Sequence, residues 1–404
     1  MTKHHFSRLL GAVLLIAGTA TGAGILALPM ACAEAGFFPS IIVMFFCWLY
    51  LLYSAFCILE VNLAVEHQGN LVSMASKTLG RFGKYVSWTA YLFLLYALNT
   101  AYIAALIDTC QQILAGFFGA SVAKMFCATP LFLIFAVLMR QRVKMVDEIN
   151  RVFMTLILLS FTFLNMMSLP HIEPSHFLTA NRAYFFSAIS TIVTAFGFHV
   201  IIPTLTNYLH GNVKALKKAI WIGSSIPLVG YIIWQVAIFG ISPQEGVLSL
   251  KAFHTAGKNG ADLIFALSKN TSVKIAAEVF AFSVIMTSFL GVSISLFDFL
   301  KDGLHAVGRS QKKWKLFFFT FVPPLYFALV YPLAFFQALE YAGAFGVVIL
   351  LALLPAGMVW SKRYWLKIKT PFEVKGGKVT LILFMLLSLS IIAIEIAKKV
   401  SLIH

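Results

Sequence analysis

Gly18, Gly22 and Gly24 crowd seven positions of an apolar run, with Thr19 and Thr21 between them and Pro29 behind. The charge-free run extends from Leu9 to Ala33, where a lipid-spanning helix wants Leu, Ile and Phe. Glycine disfavours helix by roughly 1 kcal/mol relative to alanine, and proline by about 3 kcal/mol. Backbone that leaves the helix at membrane depth must be buried in protein or line a cavity, because lipid offers its N–H and C=O groups no partner. The N–H groups freed near Gly22, Ala23 and Gly24 can cradle a carboxylate, aided by the positive end of the following half-helix. Small-xxx-small spacing, here Gly18-xxx-Gly22, also serves close helix packing with no ligand. The density of glycines together with the threonines and the proline favours a break.

A second stretch of this kind is Thr191-Ile-Val-Thr-Ala-Phe-Gly-Phe-His-Val-Ile-Ile-Pro203. Gly197, His199 and Pro203 stand where a plain span is aliphatic. Carbonyls freed around Thr194, Ala195 and Phe196 can accept from an ammonium. Neither stretch contains Arg, Lys, Asp or Glu, so the backbone itself must supply the polar partners. Thr19 and Thr21 add hydroxyls, which equally well bond back to their own helix.

The elements that position these stretches are membrane helices. The chain has 404 residues, 60% apolar and only 11% charged, against about 25% charged in soluble domains. Apolar windows of spanning length fall near 9–33, 37–62, 85–117, 122–139, 148–169, 184–208, 217–240, 274–300, 316–332, 334–360 and 379–397. The expected fold is therefore an all-α integral membrane protein of about eleven transmembrane helices, forming one domain over residues 1–404. The first span follows Lys3 and Arg8 in the manner of a signal peptide, but its length and the apolar segment after it mark an uncleaved span. The longest loop, near 241–273, carries a short amphipathic piece around 261–268.

The formal charge of +16 would suggest nucleic acid in a soluble protein. Here basic loops that set topology explain it, and no nucleic-acid partner is expected. With the N-terminus in the cytoplasm, 23 of the 31 Lys and Arg fall on the inner side, as the positive-inside rule requires. An odd span count then leaves the C-terminus outside. Cys32, Cys47, Cys57, Cys110 and Cys127 lie in or beside spans with no metal-ligand spacing, so they are read as buried thiols. No cofactor or metal is expected.

Breaks in spans one and six are what a carrier built from two five-helix inverted repeats requires. The repeats cover roughly 9–169 and 184–360, with 379–397 as an extra helix. At Gly18-Thr19-Ala20-Thr21-Gly22-Ala23-Gly24-Ile25-Leu26-Ala27-Leu28-Pro29 and Phe196-Gly197-Phe198-His199-Val200-Ile201-Ile202-Pro203 the chain resembles the aromatic (hydroxy) amino acid permeases, the bacterial tyrosine/tryptophan transporters. They belong to the amino acid–polyamine–organocation superfamily, and the resemblance extends over essentially the whole chain. It implies the five-plus-five fold and inward proton symport of an aromatic amino acid across the bacterial inner membrane, without ranking tyrosine, tryptophan and phenylalanine.

An aromatic side chain would then lie against spans three, six, eight and ten. Asn99 and Tyr102 are polar groups in mid-span, and Phe196, Phe198 and Phe289 offer rings to stack on; among 39 phenylalanines most must face lipid or core. Intramembrane ionisable residues are functional suspects: Glu60, Asp108, His199, Asp298 and Glu340. Glu60 and Asp298 suit anchoring at span ends. His199, just past the second break, and Glu340, near an outer turn, are the proton-coupling candidates, with a backbone-bonded structural role as the alternative for His199. A Na⁺ site using Thr287, Ser288 or Ser293 is the rival for coupling. A membrane-embedded enzyme would need metal or nucleophile spacing that is missing, and a channel would need a filter or a charged ring.

Overall fold

The computed structural model describes residues 3–65, 70–118, 123–129, 143–178, 181, 184–243, 245–306, 313–331 and 333–400. Among the described residues there are helices and no strand. Eight helical segments there are long and apolar enough to cross a membrane, and a bent pair makes a ninth. The expected span 316–332 is a shorter apolar helix, Trp314–Val330. The expected span 122–139 lies for the most part outside the described residues. Nine spans are thus seen against the eleven expected.

The first span is the bent pair. Helix α1 (Lys3–Ala20) stops where Gly22 and Ala23 leave helical pairing, and α2 (Gly24–Ala31) resumes after a bend of 52°. Gly36, at φ 90°, then turns the chain into α3 (Phe37–Ala64). Helix α4 (Leu71–Phe118) is interrupted at Gly80, whose φ of 68° and ψ of −153° set its first turns apart from the expected span 85–117. Helix α5 (Val143–Ser168) follows.

The sixth span divides into α6 (Ile189–Ala195), a 3₁₀ turn at His199–Ile201, and α7 (Ile202–Tyr208). Pro203 sits in the first turn of α7, where its missing N–H costs no helical bond. Helix α8 (Val213–Ile241) starts from an Asn212 side-chain cap. The loop after it carries α9 (Leu250–Thr255) and α10 (Gly260–Leu267), the second closed by a reciprocal Asn259–Asp262 capping box. It corresponds to the amphipathic piece expected around 261–268. Helices α11 (Thr271–Ala306) and α12 (Lys313–Val330) lead to the segment expected as the tenth span, 334–360. That span begins as α13 (Ala334–Tyr341), passes through π-helical turns at 342–347 and 349–353, continues as α14 (Leu354–Trp360) and ends in a further π turn. The last helix is α15 (Gly377–Lys399).

Spans one and six are adjacent and antiparallel, and two glycines report it. A Cβ on Gly11 of α1 would meet the Tyr208 hydroxyl at 2.8 Å, and one on Gly24 of α2 would meet the Ala195 Cβ at 3.0 Å. Residue numbers rise along one span as they fall along the other. Around this pair lies one apolar core, including Leu26, Leu28, Ile192, Val193, Phe280 and Leu351. Large apolar side chains such as Phe46, Leu158 and Leu383 are exposed at 60% or more, and an outward apolar belt of this kind is what lipid covers.

Candidate binding site where two helices break

At the first break the backbone turns donor-rich. The Thr21 N–H still reaches the Ala17 carbonyl at 2.8 Å, and Ile25 and Leu26 close tight turns onto the Gly22 and Ala23 carbonyls at 3.1 Å each. The Ala23 N–H donates to Ser288 Oγ of α11 at 3.0 Å, and that hydroxyl donates onward to the Val284 carbonyl at 3.0 Å. Among the described residues the Gly24 N–H has no partner, as the first turn of any helix leaves its donors open, whereas the Gly22 N–H faces the Tyr231 hydroxyl oxygen. Gly22 lies close to Ser288 as well: a Cβ there would sit 3.2 Å from Oγ. The Thr19 hydroxyl bonds back to the Leu15 carbonyl at 2.7 Å and the residue is exposed. Thr21 is half-buried beside the break.

The second break is acceptor-rich. Phe196, Gly197 and Phe198 fold into successive tight turns onto the Val193, Thr194 and Phe196 carbonyls. The Ala195 carbonyl instead points at the Tyr231 hydroxyl of α8, at 2.9 Å. The same hydroxyl lies 2.7 Å from the Ala20 carbonyl of the first break. A phenol carries one proton, so Tyr231 satisfies one of these two carbonyls at a time. The other is left to accept from a second donor. Thr194 is less available, since its single hydroxyl proton is shared between the Ser190 and Leu339 carbonyls at 2.9 and 2.8 Å.

The close approach of Gly24 and Ala195 therefore brings a donor edge and an acceptor edge to one place. Phe196 joins them, with its ring edge-on to Tyr231 at 5.3 Å. Tyr102 is buried on α4 with its hydroxyl interacting with Ser288. Asn99 is committed elsewhere: its amide donates to the Thr320 carbonyl at 3.1 Å and accepts from Ser293 at 2.7 Å, tying α4, α11 and α12 together. Phe289 packs edge-on against Phe321 at 5.7 Å. Phe198 lies against the His199 ring at 4.8 Å.

His199 is fully buried, with Nε2 at 2.8 Å from the Leu51 carbonyl of α3. A carbonyl only accepts, so Nε2 carries a proton. Nδ1 is buried with no hydrogen-bond partner among the described residues. Glu340 pairs with Lys399 of α15 at 3.2 Å. Glu60 anchors spans two and ten: it accepts from Lys362, Arg363 and the Val374 N–H, at 3.1 Å and 2.7 Å for the first and last. Asp108 faces Lys124 at 3.6 Å. Thr287 spends its hydroxyl proton on the Val284 carbonyl at 3.0 Å.

Sequence reasoning missed two members of this arrangement. Tyr231 gave no signal, because a lone tyrosine in an apolar span is ordinary. Ser288 reads in the sequence only as a Na⁺ ligand, whereas it caps the freed Ala23 N–H.

Broken helices with unpaired backbone, buried within a bundle that wears an apolar belt, define a multi-pass helical membrane protein of the transporter class. The chain matches the Tryptophan/tyrosine permease family over residues 5–395 and belongs to that family. It is 33% identical to Tyrosine-specific transport system 1 of Haemophilus influenzae over 397 residues, 97% of each chain. It is 30% identical to the Tryptophan-specific transport protein of the same organism over 396 residues, 93% of each. It is 27% identical to Glutamine transporter 2 of Aliivibrio fischeri over 402 residues, 96% of this chain and 99% of that one. The family is one of permeases, and the chain is not an enzyme.

Proposed function

We propose that this protein imports an aromatic amino acid, tyrosine or tryptophan, across the bacterial inner membrane by proton symport. One observation carries the reading: the Gly24–Ala195 contact sets the N–H edge of the first break beside the Ala195 carbonyl of the second, which shares the Tyr231 hydroxyl with the Ala20 carbonyl. A zwitterion needs that pair of edges. Its carboxylate takes the open Gly24 N–H at the start of α2 and displaces the Tyr231 oxygen from the Gly22 N–H, and its ammonium takes whichever of the Ala20 and Ala195 carbonyls Tyr231 leaves free. Thr19, Thr21, Ala23 and Thr194 frame these edges. Tyr102, Phe196, Phe198 and Phe289 form the apolar wall for the ring, with Asn99 holding the helices that carry it. The names of the tyrosine- and tryptophan-specific relatives support the ring preference.

The same reading gives the chain two five-helix inverted repeats at roughly 9–169 and 184–360, an added helix at 379–397, eleven spans in one domain, an N-terminus in the cytoplasm and a C-terminus outside. Coupling is assigned to a proton, with His199, whose Nδ1 is bare, and Glu340 as the groups that handle it. A broader neutral amino acid specificity is the second reading, favoured by the glutamine transporter among the relatives. Na⁺ coupling through the hydroxyls of α11 is the rival to the proton as driving ion.

Uptake of labelled tyrosine into proteoliposomes tests this directly, with the pH gradient and Na⁺ varied separately. Accumulation driven by an inward proton gradient, competed by tryptophan and not by lysine, glutamate or glutamine, is expected. Accumulation driven by Na⁺ alone would remove proton symport, and competition by glutamine as strong as by tryptophan would replace the aromatic specificity with the broader one.

A further inference from the structure

The last helix is peripheral, with only 28% of its most apolar window buried. Yet it places a carboxylate, Glu395, at 0% exposure. One oxygen of that carboxylate accepts from the Ser190 hydroxyl of α6 at 2.7 Å and faces Lys398 Nζ at 3.0 Å. The other oxygen is buried and makes no hydrogen bond among the described residues. Lys399 Nζ stands 4.0 Å from it, and that lysine is shared with Glu340 at 3.2 Å while lying over the Tyr341 ring at 5.0 Å. Lys398 also donates to the Ser187 carbonyl at 2.9 Å, ahead of α6.

We propose that Glu395 is a proton-binding positioning residue of the transport cycle, which ties the last helix to the first arm of the broken sixth span through Ser190. The proposal rests on the proton-symport reading and adds a group which that reading does not contain. A buried carboxylate in a membrane is costly to hold and marks a function more often than an anchor. Here the charges balance as a set: Glu340 and Glu395 against Lys398 and Lys399. The open oxygen of Glu395 is the place where one proton is taken up, converting the carboxylate to a carboxylic acid. The set then gains one positive charge, Lys399 is left to Glu340, and Lys398 is left to the Ser187 carbonyl. The bond to Ser190 loses its charge assistance, which roughly doubles the strength of such bonds.

That change acts on a short element. The Ser190 carbonyl accepts from the Thr194 hydroxyl one turn later, and Ala195, the next residue, ends the arm at the Tyr231 bond. The proton on Glu395 thus alters how firmly the arm carrying the ammonium-binding carbonyl is held. The titratable groups facing the set are its own lysines and, from α13, Glu340 and Tyr341. Beyond them stands His254 of α9, whose imidazole burial pushes below its ordinary value while Glu340 and Glu34 oppose the shift. On the α3 side the Tyr50 hydroxyl bonds Ser388, two turns away along α15.

The test uses the full chain in proteoliposomes, as wild type, Glu395→Gln, Glu395→Asp and Ser190→Ala, with labelled tyrosine as probe. Equilibrium binding against pH, counterflow exchange and proton-gradient-driven accumulation are measured on each. Glu395→Gln is expected to keep binding and counterflow within about threefold, to flatten the pH dependence of binding, and to accumulate roughly tenfold less. Glu395→Asp should retain the pH dependence, and Ser190→Ala should shift it. A Glu395→Gln protein with the wild-type pH profile and accumulation overturns the proposal. So does loss of binding and counterflow in both the Gln and Asp variants, which would make Glu395 a fold contact only. If the wild type shows no proton-driven accumulation, symport itself fails. The pH profiles of tyrosine binding by wild type and Glu395→Gln then still decide whether Glu395 takes a proton linked to substrate.

Discussion

The two broken helices interrupt the same kind of apolar span with opposite backbone chemistry. The first break bends by 52° and leaves the Gly24 N–H open, with that of Gly22 turned to the Tyr231 oxygen. The second stays closer to one axis, compressing Phe196–Phe198 into tight turns and leaving the Ala195 carbonyl for a side chain to satisfy. Glycines set where the first break falls, and Ser288 and Tyr231 complete its polar contacts at Ala23 and Ala20. The second, with one glycine, depends on Tyr231, Thr194 and Leu51 to hold its polar groups. Local sequence sets where each edge forms, and tertiary contacts complete both, with more of them at the acceptor edge.

The comparison breaks most easily at the point where the two edges touch. Gly24→Ala would bring a Cβ to 3.0 Å from Ala195 Cβ and 3.2 Å from its Cα. Backbone cannot swing aside as a side chain can, and overpacking of this kind costs about 1–3 kcal/mol. Tyrosine uptake is expected to fall by roughly tenfold or more. Gly22→Ala meets only the Ser288 hydroxyl at 3.2 Å, which rotates, so its loss should be smaller. Equal losses in the two variants, measured as initial uptake rates at matched protein levels, would mean the glycines serve general packing.

Tyr231→Phe comes next, since it removes one donor shared by both breaks and leaves the Ala20 and Ala195 carbonyls without it. A lost buried hydrogen-bond partner costs about 1–3 kcal/mol, and the expected signature is weaker tyrosine binding together with a lower melting temperature. Ser288→Ala strips the Ala23 cap and the contact with the Tyr102 hydroxyl, which can turn to other partners, so it should cost about 1 kcal/mol, read as a rise in KM of about fivefold with little change in melting. A larger effect of Ser288→Ala than of Tyr231→Phe would reverse the ranking of the two edges.

His199→Gln should have the smallest effect on total uptake, within about threefold, because the amide N–H can replace Nε2 toward the Leu51 carbonyl. The bare Nδ1 is lost, so the acid side of the pH profile of uptake should flatten. An unchanged profile assigns His199 to structure and removes it from coupling.

Much of the first break was legible in the chain, because glycine and proline act through local backbone energetics. Gly18–Pro29 foretold the end of α1 and the start of α2 within a few residues. Gly197 and Pro203 marked the second break in the same way. The partners across space were not legible. Asn99 looks like a pocket residue from its place in mid-span, yet Thr320 and Ser293, some two hundred residues away, take its amide. Tyr231 and Glu395 carry no local signal at all, since their roles come from which helix packs against them. Glu395 sits near the end of the last apolar run beside Lys398 and Lys399, and a sequence reader sees a solvated helix terminus. Its burial against Ser190 follows only once α15 lies on α6.

The most direct test of the paired edges uses ligands that each lack one charge. Labelled tyrosine bound to the wild-type protein is competed with tyrosine, with tyramine, which lacks the carboxylate, and with 3-(4-hydroxyphenyl)propionate, which lacks the ammonium. The account predicts that both analogues compete at least roughly tenfold more weakly than tyrosine, each having left one edge unpaired. Competition by either analogue as strong as by tyrosine itself would contradict the claim that the two breaks bind the amino acid's opposite charges.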